Sequence, residues 1–201
     1  MAFLTQDIAR RAFLPSLFAA ILSLSACSSG APLQTYDLTA IASAPRPVRG
    51  VHGQIIVTEP VASTALDSDR VLVRPQPETL AYLGGAKWSA RLPALVQTRL
   101  IQSFENARAL KAVGRPGDRS SADYDLTTEI RSFEIDVQSG QAVVEIAAKL
   151  VQDASGRVAA ARIFTARVPA SAADGVAATT ALDAALGRVM GEIVTWTAGR
   201  G

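Results

Sequence analysis

Cys27 is the chain's single cysteine, and a thiolate is a strong nucleophile and metal ligand. It closes the run Leu24-Ser25-Ala26-Cys27. With one cysteine and one histidine, His52, the sequence supplies too few soft ligands for a transition-metal site. His52 stands beside Gly53 at the start of an apolar run and reads as a polar residue at a strand edge. There is no Gly-x-Ser-x-Gly elbow and no phosphate-cradling glycine loop. Asp67 with Asp69, and Asp123 with Asp125, have the closeness that paired general acid–base carboxylates need. Both pairs fall at turns or strand edges, where hydration accounts for them. Arg115, Asp118 and Arg119 read as a solvated loop. The chemistry that remains is modification of Cys27.

The sequence before Cys27 says which modification. Arg10 and Arg11 precede an apolar run from Ala12 to Leu24, broken by Pro15 and a few serines. A basic segment, a short apolar segment and small residues before a cut describe a secretory signal peptide. A cysteine directly after Leu-Ser-Ala resembles the bacterial lipobox. It implies removal of residues 1–26 and attachment of fatty acyl chains such as palmitate to Cys27. The apolar run is about 13 residues, short of the roughly 20 that span a bilayer. Residues 27–34, with Gly30 and Pro32, then form a flexible lipidated tether. Each buried acyl methylene contributes about 0.8 kcal/mol, and stable anchoring takes more than one chain.

Removing 26 of 201 residues leaves 175, enough for one domain over 35–201 with a core that needs no disulfides. Charge is nearly balanced, with 20 basic against 18 acidic residues. Losing Arg10, Arg11 and Asp7 leaves about +1. No basic block is present, so the chain does not read as a nucleic-acid binder.

Along the domain, Tyr36–Ala40, Val51–Thr58 and Val71–Arg74 read as strands, the last ended by Pro75. Ala44-Pro45-Arg46-Pro47 reads as a loop and Leu66–Asp69 as a turn. Thr79–Tyr82 reads as a short strand that Gly84-Gly85 breaks. Leu92, Leu95, Val96, Leu100 and Phe104 share one helical face, predicting a helix capped by Ser89 and running to about Asn106. Gln97, Arg99 and Glu105 lie mostly off that face. Residues 114–121 read as a loop.

Tyr124–Val151 and Val158–Val168 read as three antiparallel strands with turns at Ser139-Gly140 and Asp153–Gly156. Apolar parity runs Tyr124, Leu126, Ile130 and then switches to Phe133, Ile135, Val137. Such a switch predicts a β-bulge near Arg131-Ser132. A second helix, capped by Ser171, buries Leu182, Leu186, Val189, Ile193 and Trp196. Gly187 and Gly191 make a smooth patch, for packing within the domain or between copies. The fold class is α/β: a mixed, largely antiparallel sheet packed by two main helices, preceded by the signal peptide and tether. Trp88 and Trp196 suit either a core or a half-wet contact with a partner or headgroup.

Several segments together resemble a family. They are the lipobox, Tyr36-Asp37-Leu38, Val71-Leu72-Val73-Arg74, Leu80-Ala81-Tyr82, Ala86-Lys87-Trp88 and Arg91-Leu92-Pro93. Glu129-Ile130-Arg131-Ser132-Phe133-Glu134 and Ile193-Val194-Thr195-Trp196 complete the set. The chain from about 35 to 197 resembles the ABC-type transport auxiliary lipoproteins, the PqiC-like partners of MCE lipid transport systems. The resemblance implies a non-enzymatic accessory subunit without cofactor. Its partners would be an MCE-domain protein and an ABC permease and ATPase. The lipid anchor would hold it at the periplasmic face of a membrane of the bacterial envelope. Ser28 follows the cysteine where an aspartate would signal inner-membrane retention in enteric bacteria, which favours the outer membrane. By analogy the family also implies a homo-oligomer. Tyr82 and Trp88 are the candidate partner contacts. The alternative is a structural or assembly lipoprotein of the outer membrane unrelated to an ABC pump.

Overall fold

The computed structural model describes residues 33–44, 53–118, 122–172 and 174–199. The signal peptide, Cys27, the tether up to Pro32, Pro45-Arg46-Pro47, His52, Arg119 and Ser121 lie outside the described residues. The described elements are β1 (Gln34–Tyr36), β2 (Gln54–Val57), β3 (Val61–Ala62), β4 (Arg70–Gln76), β5 (Thr79–Trp88), α1 (Leu92–Ala107), β6 (Ala112–Gly114), β7 (Tyr124–Asp136), β8 (Gln141–Gln152), β9 (Val158–Pro169) and α2 (Gly175–Ala198). They make an α/β domain built on one mixed sheet.

β7 organises that sheet. Leu126, Thr128 and Ile130 are buried, and then the buried parity passes to Phe133 and Ile135. The register against β8 shifts between Ile130 and Ser132, so the bulge expected from the parity switch is present. Both halves of β7 therefore keep their apolar side chains in the core. One edge of β7 pairs antiparallel with β8 along its whole length, and β9 continues that meander. The other edge is shared end to end by β2, β3 and β4, all parallel to it. β5 then joins β4 antiparallel, while β1 adds to β5 and β6 to β2 in parallel. The long ladders are antiparallel, and each parallel pairing is two or three residues.

Five local expectations change. The first strand is Gln34–Tyr36 rather than Tyr36–Ala40, because Asp37 and Thr39 leave the sheet to bond Arg99 and Asp183 on the helices, and Gln34, expected in the tether, belongs to that strand. β4 runs through Pro75 to Gln76. Its ladder to β7 ends at Arg74, and its register to β5 shifts between Val73 and Gln76, so Pro75 takes no N–H from a regular ladder. Gly84-Gly85 bulges β5 without breaking it. Pairing passes from Leu72↔Tyr82 to Arg70↔Lys87, and Gly85 takes φ 73° within the extra length. Ser89 does not cap α1: Arg91 occupies that position without a side-chain bond, and the Ser89 hydroxyl donates to Asp37 instead. Asp174, rather than Ser171, caps α2 by accepting from the Val176 N–H at 2.9 Å. β3 and β6 are additional strands, too short to show a period.

α2 lies on β8, β9, β7 and β5, and α1 packs against α2, β2 and β6. The expected α2 stripe is buried, with Trp196 meeting Phe164 edge to face at 5.6 Å. α1 is buried well beyond its stripe. Gln97 is buried, donating from Nε2 to the Val57 carbonyl at 2.9 Å and accepting on Oε1 from Arg115.

The Gly187/Gly191 patch serves packing within the domain. Gly191 is buried, and a Cβ at Gly187 would meet Ile41 Cγ2 at 4.0 Å, an ordinary contact. Glycine in a helix interior costs about 1 kcal/mol relative to alanine. Gly187→Ala is therefore expected to stabilise the domain by roughly 0.5–1 kcal/mol, read as a higher midpoint in urea unfolding.

Candidate functional site

Two features lie near the start of the described domain: a strap of residues 37–44 and the β4–β5 hairpin. The strap begins as β1 ends, and it ties to both helices. Leu38 is buried in the core. Asp37 Oδ1 accepts from the Leu38 N–H at 2.8 Å and from the Ser89 hydroxyl at 3.1 Å. Asp37 Oδ2 accepts from Arg99 of α1 at 2.6 Å. Thr39 donates its N–H and its hydroxyl to the two carboxylate oxygens of Asp183 on α2, at 2.7 and 2.6 Å. The Ile41 N–H donates to Ser103 Oγ at 3.2 Å, and Asn106 Nδ2 donates to the Ile41 carbonyl at 2.9 Å.

Burial pushes the Asp37 carboxyl up, but its bonds from Arg99, the Leu38 N–H and Ser89 outweigh this and hold it below its ordinary value. The strap is thus a charge-assisted clasp across α1, α2 and the end of β5.

The hairpin is tied from the other side. Arg74 donates from Nε and Nη2 to the two oxygens of Glu134 on β7, at 2.7 and 3.0 Å, and from Nη1 to the Pro77 carbonyl at 2.8 Å. Glu134 is buried, so this forked pair fixes β4 on β7 in one register. Arg91 bridges Glu59, at 3.1 Å, and Asp67.

Of the two candidate partner contacts, Trp88 is 1 % exposed and packs edge to face on Phe133 at 5.8 Å. Its fit between core strands corrects the expectation of a surface contact at Trp88. Tyr82 is 37 % exposed, with the Arg70 guanidinium 4.2 Å above its ring. Cys27 lies outside the described residues.

The carboxylate pairs do not converge. Asp67 belongs to Arg91, and Asp69 lies 3.8 Å from Lys87. Asp123 Oδ2 accepts from the Gln54 N–H at 2.7 Å, a structural cap. Asp125 titrates above its ordinary value through burial and then the neighbouring charge of Asp153. Arg115 is not a loose loop residue: it reaches Gln97 and Thr98 at 2.6 and 2.9 Å. Among the described residues no group of three or more His, Cys, Asp or Glu side chains could hold a metal ion. No described helix is long and apolar enough to cross a membrane.

Sequence reasoning missed the roles of Asp37, Arg99 and Asp183. The available signal was Tyr36-Asp37-Leu38, where a charged residue interrupts a segment that otherwise reads as a strand.

A family model described as the ABC-type transport auxiliary lipoprotein component matches residues 36–194, which is nearly all of the described domain. A solved Xanthomonas campestris protein assigned to the family DUF330 is 32% identical, covers 84% of this chain and 96% of its own, and superposes with a TM-score of 0.77. An uncharacterised Bradyrhizobium diazoefficiens protein is 34% identical over 172 residues, 84% of this chain. This chain spans 46% of that protein's length. A second solved, uncharacterised protein shares the fold at 13% identity and a TM-score of 0.61, over 84% of this chain and 97% of its own.

The clasp has a pH signature. A carboxyl held below its ordinary value adds stability above the ordinary carboxylate range, and that stability is lost as pH falls through the depressed value. The Asp37 side chain is half exposed, so solvent screening limits the effect. Asp37→Asn is expected to cost about 1 kcal/mol near neutral pH. In acid unfolding the difference from wild type should shrink to nothing once wild-type Asp37 is itself protonated. A constant difference across the whole pH range would contradict the clasp.

Proposed function

The chain belongs to the ABC-type transport auxiliary lipoprotein family, and from that premise we propose that it is a membrane-anchored accessory subunit of an ABC/MCE-type lipid transport system. Its part is to dock protein partners rather than to do chemistry. The observation that carries this reading is the family match across almost the entire folded domain. The separated carboxylates support it, because Asp67 and Asp69 each answer a different cation. The partners are an MCE-domain protein and the permease and ATPase of the same system. Self-association into a homo-oligomer is part of the same proposal.

Anchorage comes from Cys27, with residues 1–26 removed as the signal peptide and residues 27–34 serving as the lipidated tether to the domain at 35–201. The domain then sits at the periplasmic face, and Ser28 favours the outer membrane. The clasp supports this arrangement physically. A tether can position a domain only if it joins the fold at a point that does not unravel, and Asp37, Thr39 and Ile41 secure that point.

The test is affinity capture from membranes of cells carrying a tagged chain, beside its Cys27→Ser form. Wild type is expected in the membrane fraction, bringing an MCE-domain protein with it, and Cys27→Ser in the soluble periplasmic fraction. Cys27→Ser recovered in the same membrane fraction would overturn the anchor. An envelope protein captured in place of any MCE-domain protein would favour the structural or assembly lipoprotein.

A further inference from the structure

Leu33, the first described residue of the domain, is 62 % exposed. It lines a shallow cleft of ≈ 270 Å³ together with Asp69, Arg70, Leu83, Gly84, Gly85, Ala86 and Lys87. Arg70 joins this cleft to Tyr82, over whose ring it stacks. Leu80, 49 % exposed, lies two residues from Tyr82 on β5 and so points to the same face. β1 covers the outer edge of β5 only at Ala86–Trp88, so residues 79–85 carry no strand on that edge among the described residues. A Cβ on Gly84 or Gly85 would meet no atom within 4 Å. Leu33 beside the hairpin and Leu80, Tyr82 and the stacked Arg70 on it thus form an exposed, partly apolar face, the Tyr82 hydroxyl donating to the Ala65 carbonyl at 3.4 Å.

We propose that this face, Leu33, Leu80, Tyr82 and Arg70, rests on the surface of the lipid bilayer that holds the anchor. The proposal builds on the reading of Cys27 as acylated. Leu33 is six residues from Cys27, and an extended chain gains at most about 3.6 Å per residue, so Leu33, at one end of the face, lies within roughly 20 Å of the anchored sulfur. That reach admits few orientations of the domain. The chemistry of the face fits the interface: the Tyr82 ring offers apolar area while its hydroxyl is satisfied by the Ala65 carbonyl, and an arginine buries its stem while its head stays wet. Lys87 and Arg70 offer cations to lipid phosphates, with Asp69 already facing Lys87. Glu78, at the turn between β4 and β5, keeps the insertion at headgroup depth. The other large exposed apolar residues, Val61, Val137, Val158, Ile163 and Val176, lie on β3, in the β7–β8 turn, on β9 and on α2.

Because the lipid occupies the sulfur of Cys27, one engineered cysteine can carry an environment-sensitive fluorophore without competition. Leu80→Cys and, as the remote site, Val158→Cys are introduced into the full lipidated protein. Each is reconstituted into phosphatidylethanolamine–phosphatidylglycerol vesicles containing spin-labelled lipids. Mass spectrometry of the same preparations reads the acylation. The expected result is an acylated protein with a blue shift and roughly twofold or greater quenching at position 80, as for a group about 5–10 Å into the headgroup boundary, and little at 158. An acylated protein quenched at neither position, or equally at both, overturns the membrane-facing hairpin and leaves the anchor standing. An unacylated mass overturns the anchor and the hairpin proposal with it.

Discussion

The rest of the molecule depends on how Asp37 and the residues after it are held. Asp37 offers one oxygen to Arg99 of α1 and the other to the end of β5 through Ser89. Thr39 meets both oxygens of Asp183 on α2, and Ile41 is fixed at both backbone groups by α1 side chains. Within five residues the chain is bound to both helices and to the sheet, with Leu38 driven into the core between these ties. Charge-assisted bonds of this kind are directional as well as favourable, so they set a position rather than merely an affinity.

The central strand of the sheet solves a different problem. β7 has three partners in a row on one edge and one long partner on the other. A regular thirteen-residue strand would turn half of its apolar side chains away from the core. The bulge between Ile130 and Ser132 restores their direction, and it allows Glu134 to receive Arg74 beyond it. The segments on which the resemblance was read contribute mostly to cross-ties of this kind. Asp37 binds Arg99, Arg74 binds Glu134, Trp88 packs on Phe133, and Arg91 joins Glu59 to Asp67. Such a signature looks diffuse along the chain because its members meet only in three dimensions.

That distribution explains what could be read without the structure. The meander β7–β9 and the apolar stripes of both helices were legible because their periods are local and long. The parity switch in β7 was legible as a bulge for the same reason. β3 and β6 were not, since two or three residues carry no period and both are held by parallel partners distant in sequence. Ser89 has the local chemistry of a helix cap, and the pull of Asp37, fifty-two positions away, overrides it. Gly84-Gly85 looks like a break, yet pairing on both sides carries β5 through it. At the candidate site, Tyr82 and Trp88 read alike as candidate contacts, and only Tyr82 is exposed. Trp88 was not placeable, because tryptophan suits both core and surface, and the choice was made by Phe133.

The clasp makes a demand on dynamics. Segments beside a terminus ordinarily fray at little cost, whereas segments tied into the core open only with it. Native-state hydrogen exchange of the Thr39 and Ile41 amides distinguishes these directly. Exchange as slow as that of the central amides of α2, with the same dependence on denaturant, is the result the account predicts. Exchange at loop-like rates while α2 stays protected would show that the strap is not clasped, and would contradict the account at its base.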